Sequence, residues 1–149
     1  MESATADPHD RRAERILVYD DDGVLLDLLG LVLSREGYDV TATVSEQEAI
    51  ACGSTRPFDL AIADLGFHRS NGYRLVRMIS EESPETAIVA ISAYPASEVV
   101  RFAREHARAF LDKPFALRDL VDVVRSTLAQ GLKENAAGRD AFVAGEVSK

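Results

Sequence analysis

The chain has few features of secreted, disulfide-bonded or membrane proteins. It contains a single cysteine, Cys52, so no disulfide can form within it, and a thiol in an apolar helical stretch is ordinarily inert core. The first residues, MESATADPHDRRAER, have no apolar signal-peptide core. No apolar run approaches the roughly 18 residues of a membrane span. We therefore expect a cytoplasmic protein that does not enter a membrane.

The chain also lacks a surplus of positive charge. It has 17 Lys and Arg residues and 25 Asp and Glu residues, which gives a net charge of -8. Non-specific nucleic-acid binding relies on clustered basic residues, so this charge argues against nucleic acid as a partner. Hydrophobic residues make up 46% and charged residues 28%, a globular composition with enough apolar material for the core of one domain.

Short apolar runs alternate along the chain with segments of helical spacing. The predicted strands cover Arg15–Tyr19, Tyr38–Val44, Phe58–Asp64, Thr86–Ser92 and Arg108–Asp112. The first helix is marked by Leu25, Leu28, Leu29, Val32 and Leu33, and the last by Leu117, Leu120, Val121, Val124 and Leu128. Five β-α units in alternation predict an α/β fold, a five-stranded parallel sheet covered by helices on both faces. We expect a disordered leader over 1–14, one domain over 15–130 and a flexible tail over 131–149.

Local signals mark the ends of several helices. Asp22 is expected to be the N-cap of the first helix, and Gly37 to end it as a C′ glycine. Ser45 followed by Glu48 has the spacing of a capping box at the start of the second helix.

Polar residues end the predicted strands, where parallel α/β sheets bind their ligands. They are Asp20, Asp21, Asp22, Asp64, Ser92 and Lys113. Clustered carboxylates repel one another unless a cation compensates, and Mg²⁺ takes carboxylate and phosphate oxygens as ligands. A lysine at the same edge suits phosphoryl oxygens, and an aspartate can itself accept a phosphoryl group as an acyl phosphate. The pattern indicates Mg²⁺-dependent phosphoryl transfer.

On these residues the sequence resembles the bacterial response-regulator receiver family from about Arg15 to Leu128. The anchors are Asp20-Asp21, Asp64, Gly72, Ser92-Ala93 and Lys113-Pro114-Phe115, in order and at strand ends. The resemblance implies a doubly wound, flavodoxin-like sheet of the receiver type. It also implies a phosphorelay protein rather than an enzyme acting on a separate substrate. Such a protein takes its phosphoryl group from a donor and later loses it by hydrolysis.

The resemblance assigns a role to each polar position. Asp64 would accept the phosphoryl group and also ligate Mg²⁺, Asp21 would ligate the ion directly, and Asp20 would do so directly or through water. The backbone carbonyl of Gly66 would supply a further ligand.

Three more positions are implied to bind the phosphoryl group or to switch. Lys113 would pair with the phosphoryl group and Ser92 would hydrogen-bond it. Phe110 occupies the aromatic switch position, usually tyrosine, so its movement would depend on packing alone. The Lys113–Pro114 bond is expected to be cis. The implied donor is a histidine kinase or a histidine phosphotransfer protein. A downstream protein would bind the fourth helix, fifth strand and fifth helix. Too few residues follow Leu128 for another domain, so we expect a stand-alone receiver whose output is a partner protein.

The chain departs from the family pattern at several positions. Phe67-His68 replaces the usual Met-Pro pair. His106 replaces a glycine before the fifth strand, and histidine adopts a left-handed backbone conformation less readily than glycine does. Gly66 and Tyr94 occupy positions that tune dephosphorylation in the family. The departures at His68 and His106 keep open a receiver-like interaction module that switches without phosphate.

A second alternative comes from the string YDDDGVLLD, which also looks like the first motif of haloacid-dehalogenase-type phosphatases. In that interpretation Asp20 is the nucleophile and Asp22 the general acid/base. It requires a strand-end acid pair after Lys113. The only candidates for that pair, Asp119 and Asp122, lie in the amphipathic last helix, and Asp64 is left without a role.

Overall fold

The computed structural model describes residues 12–66, 72–93 and 98–131. Five strands are β1 (Arg15–Tyr19), β2 (Asp39–Thr43), β3 (Leu60–Leu65), β4 (Ala87–Ser92) and β5 (Ala109–Asp112). Four helices are α1 (Gly23–Arg35), α2 (Glu46–Thr55), α3 (Tyr73–Glu82) and α4 (Glu98–His106). A further helix, α5, covers residues 117–131. The α/β alternation predicted from the sequence is confirmed. The bounds of β1 match the prediction, the ends of the other strands match it or differ by one or two residues, and β3 runs one residue beyond Asp64.

The five strands form one parallel sheet in the order β2-β1-β3-β4-β5. The chain goes from β1 outward to β2 and then crosses back over β1 to β3, so the direction of winding changes between β1 and β3. In open α/β sheets, the carboxyl ends of the strands at such a change form the ligand-binding crevice. Asp20 and Asp64 lie at this point.

Each face of the sheet is covered by its own apolar cluster. Leu17 and Tyr19 of β1 point into the cluster beneath α2, α3 and α4. Ile16 and Val18 point into the cluster beneath α1 and α5. Every residue of β3 and β4 is buried, as a central parallel strand with helices on both faces requires. Cys52 on α2 is half-buried against the first cluster.

The buried face of α1 differs from the predicted stripe. Leu26, Leu29 and Leu33 are the buried residues of this helix, whereas Leu28 is 41% exposed. Both sets have helical spacing because the helix carries six leucines, so periodicity alone did not select the face. The predicted face of α5 is closer, with Leu120, Val124 and Leu128 buried against the sheet.

The N-caps of α1 and α2 are occupied by the residues expected. Asp22 accepts hydrogen bonds from the backbone amides of the first turn of α1, and Gly37 follows that helix with a φ of 98°. Ser45 accepts the amide of Glu48, which is half of a capping box. The reciprocal half is absent, because the Ser45 amide donates to the hydroxyl of Thr43 and Glu48 bonds that hydroxyl instead.

The fourth helix ends without a left-handed residue. His106 is its last residue, and no residue other than glycine has a positive φ in the part of the chain described. The predicted leader and tail lie almost wholly outside the described residues, and His68 and Tyr94 lie outside them as well. Among the helices that are described, none is long and apolar enough to span a bilayer.

Candidate functional site

Four strands bring their polar residues to one edge of the sheet. Asp20 follows β1, Asp64 lies near the end of β3, and Ser92 is the last residue of β4. Strands β3 and β4 pair so that Ser92 lies beside Leu65, one residue beyond Asp64. Lys113 follows β5 and is tied to β4, because its backbone amide donates to the carbonyl of Ser92 at 2.8 Å. The parallel register therefore places these residues together.

Three carboxylates form the centre of the site. Asp20, Asp21 and Asp64 each offer an oxygen within 4.8 Å of the others. Asp20 and Asp64 are buried and Asp21 is exposed, so the cluster opens to solvent on one side. Like charges this close repel one another strongly when they are out of water, and a hard divalent cation is a natural counterion for them.

One oxygen of Asp20 lacks a hydrogen bond. Its Oδ1 accepts the backbone amide of Asp22 at 2.9 Å. Its Oδ2 is the buried side-chain atom without a hydrogen-bond partner among the residues that the structure describes. Lys113 Nζ lies 3.6 Å from it, an ion-pair distance longer than a hydrogen bond. An unsatisfied buried carboxylate oxygen fits a metal ligand position, so the donor set suits Mg²⁺.

Lys113 supplies the positive charge of the site. Its Nζ lies 3.0 Å from Oδ1 of Asp64, and its side chain is 25% exposed. The peptide bond between Lys113 and Pro114 is cis. One ammonium cannot neutralise three carboxylates, so ionised acids would leave the cluster with two net negative charges.

Burial and mutual repulsion change the pKa values of these groups. Burial, with a further contribution from the charge of Asp20, raises the pKa of Asp64 to about 7, although Lys113 opposes the shift. Burial also raises the pKa of Asp20, against the opposing amide of Asp22 and charge of Lys113. Burial disfavours the charged form of Lys113, but the two buried carboxylates outweigh it and raise its pKa. Without a further cation, the pocket favours a proton on Asp64.

The third aspartate of the run after β1 has a separate role. Oδ1 of Asp22 accepts the amides of Val24 at 3.0 Å and Leu25 at 3.2 Å, so it caps α1 and does not join the acidic cluster. The acids that a phosphatase would need, Asp119 and Asp122, are exposed on α5. These positions argue against the haloacid-dehalogenase interpretation.

The remaining predicted residues lie around the cluster. Ser92 is fully buried at the end of β4, and Gly66 directly follows β3. Phe110 on β5 is partly buried against the apolar cluster beneath α2, α3 and α4. The guanidinium carbon of Arg104 lies 4.6 Å from the ring centroid of Phe110. The aromatic position thus carries a cation over its ring.

One residue near the site was not predicted from the sequence, and another was predicted without a physical explanation of why it is needed. Glu46 at the start of α2 accepts the backbone amide of Leu75 in the first turn of α3. No local signal marks this contact, because the partners are 29 residues apart. Gly72 was singled out as a family anchor, and its environment now supplies a reason. A Cβ there would overlap the backbone carbonyl oxygen of Asp64.

An apolar groove of about 510 Å³ opens beside Lys113. Its walls are formed by α1 and by the segment that joins β5 to α5, and the lining residues are Leu25, Leu28, Ala93, Lys113, Pro114, Phe115 and Leu117. Val24 and Leu31, which are 82% and 50% exposed, continue the apolar surface along α1 at helical spacing.

Comparison with known proteins agrees with this geometry. The family model for the response regulator receiver domain matches residues 16–125. The chain is 33% identical over 129 residues to the DNA-binding response regulator MtrA of Mycobacterium tuberculosis, covering 85% of this chain and 56% of that protein. It is 31% identical over 119 residues to the DNA-binding transcriptional regulator NtrC of a Bradyrhizobium species, covering 79% of this chain and 25% of NtrC. The chain therefore spans about half or less of the length of these relatives.

The solved structures that resemble the chain include a CheY-like receiver domain protein from Methanospirillum hungatei. The two superpose with a TM-score of 0.78 at 28% sequence identity, and the match covers 83% of this chain and 99% of the other. The match extends over nearly all of the described fold.

Proposed function

Because the chain belongs to the response regulator receiver family, we propose that it is the switch of a phosphorelay and accepts a phosphoryl group on Asp64. The observation that carries the proposal is a buried carboxylate, Asp64, held 3.0 Å from Lys113 beside a second buried acid, Asp20, whose Oδ2 lacks a hydrogen bond. Such a set of groups binds a phosphoryl group and a divalent cation together.

Each group has a defined part in the transfer. An oxygen of the ionised Asp64 attacks the phosphorus of a phosphohistidine, the phosphorus–nitrogen bond breaks, and the imidazole leaves with a proton from solvent. Lys113 is close enough to Asp64 to pair with the transferred oxygens. Asp20, Asp21, Asp64 and the carbonyl of Gly66 would hold Mg²⁺, which when bound neutralises phosphoryl charge.

We propose that the phosphoryl group is then read out through Ser92 and Phe110. The hydroxyl of Ser92 bonds the phosphoryl group, and the ring of Phe110 moves into the core. This favours a second arrangement of α4, β5 and α5 that a downstream protein recognises. Hydrolysis of the acyl phosphate by water returns the chain to its first state.

The surface beside Lys113 suits the phosphodonor. We propose that a helix of the histidine kinase or phosphotransfer protein packs on the exposed side of α1, against Leu28 and Leu31. The donor histidine then lies next to the groove that reaches Lys113. Substitution of Leu28 by Ser should slow transfer from a phosphorylated histidine phosphotransfer protein and leave transfer from acetyl phosphate unchanged. An equal loss with both donors would contradict the docking surface.

Intact-mass spectrometry tests the phosphorylation itself. The chain is incubated with acetyl phosphate, with and without Mg²⁺, as wild type, Asp64→Asn, Asp22→Asn and Asp20→Asn. We expect a Mg²⁺-dependent phosphoryl adduct on wild type and Asp22→Asn, and none on Asp64→Asn. An adduct that Asp20→Asn abolishes but Asp64→Asn retains would favour the phosphatase chemistry. No adduct from acetyl phosphate or from a phosphorylated phosphotransfer protein would favour the phosphate-independent interaction module.

A further inference from the structure

Helix α3 begins without a cap from its own N-cap residue. Gly72 holds the N-cap position with a φ of 79° and has no side chain to accept a hydrogen bond. The first helical bond runs from the amide of Val76 to the carbonyl of Gly72 at 3.0 Å. The amides of the preceding residues point out of the helix and need acceptors from elsewhere.

A carboxylate from another helix supplies that acceptor. Oε2 of Glu46, in the first turn of α2, accepts the backbone amide of Leu75 at 3.2 Å. Burial raises the pKa of Glu46, and the amides of Leu75, Arg74 and Gly72 oppose the shift by favouring its charged form. A negative charge at this position is also favourable toward the helix dipole. Glu46 is thus an N-cap that comes from outside the helix it caps.

The capped end of α3 lies directly against the backbone of Asp64. A Cβ built on Gly72 would overlap the carbonyl oxygen of Asp64 and would lie 2.8 Å from Cδ2 of Leu65. No free space separates the start of α3 from β3 at this point. A displacement of the start of α3 must therefore change the surroundings of Asp64.

From these contacts we infer that Glu46 is a positioning residue, which holds the start of α3 against Asp64 so that its carboxylate is presented for phosphorylation. This inference rests on the function proposed above. Among the described residues Glu46 bonds the start of α3 and is not a member of the acidic cluster. Its loss should therefore lower the maximal rate and leave the donor concentration at half-maximal rate unchanged.

Two substitutions and one control separate this role from general destabilisation. Glu46→Ala removes the acceptor, while Glu46→Gln keeps an oxygen that can accept the same amide. Glu48→Ala removes an acid from the same turn of α2, where the Glu48 side chain accepts a hydrogen bond from the hydroxyl of Thr43. Each variant is studied as the full chain with acetyl phosphate and Mg²⁺, at a temperature at which all are folded. The amide exchange of Leu75 is followed by NMR.

We expect Glu46→Ala to speed exchange of the Leu75 amide and to lower the maximal phosphorylation rate by about 5-fold, comparable to the loss of one helix cap. Glu46→Gln should restore most of both, and Glu48→Ala should match wild type. If Glu46→Ala does not fold, Glu46→Asp takes its place, because the shorter side chain withdraws the acceptor and keeps the charge.

Two results would overturn the inference. Faster exchange at Leu75 with an unchanged phosphorylation rate would make Glu46 a structural cap only, and unchanged exchange would deny even the cap. A wild-type chain that no donor phosphorylates would instead refute the proposed function, and with it the role in phosphorylation. The Leu75 amide would still report whether Glu46 holds α3.

Discussion

A Cβ at Gly72 would overlap the backbone carbonyl oxygen of Asp64, so the start of α3 leaves no room for a side chain at this position. Gly72 also has a left-handed backbone, with a φ of 79°. Two independent constraints, space and conformation, therefore require glycine at the start of α3. The same contact joins the helix to the strand that carries the proposed phosphorylation site.

Substitution of Gly72 by alanine tests this contact. We expect Gly72→Ala to lower the free energy of unfolding by about 2–5 kcal/mol, which combines left-handed strain with overpacking against backbone atoms. Gly37→Ala is the matched control, because Gly37 also has a positive φ but would place its Cβ in open space. That control should cost only about 1–2 kcal/mol. Urea denaturation gives both values, and equal losses would show that the contact with Asp64 adds nothing.

The raised pKa of Asp64 predicts an unusual dependence of stability on pH. A carboxyl group with a pKa of about 7 in the folded chain and about 3.9 when unfolded binds more protons in the folded state between these values. Asp64 therefore lowers stability as the pH rises through this range. In metal-free buffer, we expect Asp64→Asn to be more stable than wild type by on the order of 1–3 kcal/mol at pH 8, with the gain shrinking toward pH 4.

Thermal or urea unfolding at several pH values measures this difference. Asp27→Asn, an exposed change on α1, serves as the control and should show no such trend. A variant Asp64→Asn that is less stable than wild type by the same amount at every pH would show that the lost ion pair with Lys113 outweighs the burial of charge.

Magnesium should reverse the penalty at the acidic cluster. A ligand that binds only the folded state stabilises it by about 2.7 kcal/mol at 100 times its dissociation constant. We expect Mg²⁺ to raise the melting temperature of wild type but not of Asp21→Asn or Asp64→Asn. Asp22→Asn should keep the full response, because asparagine caps a helix as well as aspartate does. A lost response in Asp22→Asn would place the third aspartate in the metal site after all.

The cation over the ring of Phe110 predicts a bias in the switch. Arg104 packs on the ring where it is partly exposed, so movement of the ring into the core must break this cation–π contact. We expect Arg104→Gln to raise the population of the inward state and the rate of phosphorylation by about 2–5-fold.

Arg101→Gln, on an exposed position of the same helix, is the control and should leave the rate unchanged. The rate is measured with acetyl phosphate, and ring movement by NMR of labelled phenylalanine. No effect of Arg104→Gln, or the same effect from Arg101→Gln, would remove Arg104 from the switch.

Most of the fold was predictable because the pattern and length of the apolar segments indicate which residues are buried in strands and helices. Runs such as those of β3 and β4 are apolar on both faces, which only a covered parallel sheet requires. Prediction was wrong where two choices had the same periodicity. On α1 it selected Leu28, which is exposed, and missed Leu26, which is buried, since leucines mark both faces of the helix. At Ser45 it predicted a full capping box, but Thr43 offered the Ser45 amide a competing hydroxyl.

The candidate site was predictable in its members but not in its contacts. Residues such as Asp64 and Lys113 end parallel strands, and parallel strands end at one edge, so the sequence order alone placed them together. Three features depend on distances between elements that no local pattern encodes. They are the lack of a hydrogen bond at Oδ2 of Asp20 among the described residues, the cation over the ring of Phe110 and the bond between Glu46 and α3.

Local sequence was sufficient to predict that the chain forms alternating strands and helices, and which polar residues meet at the sheet edge. These follow from the local hydrophobic period and from the polarity of strand ends, which neighbouring residues set. The raised pKa of Asp64 and the need for glycine at position 72 arise only from tertiary packing. Burial depth, charge separation and backbone clearance are sums over residues far apart in the chain, and they exist only once the elements are packed.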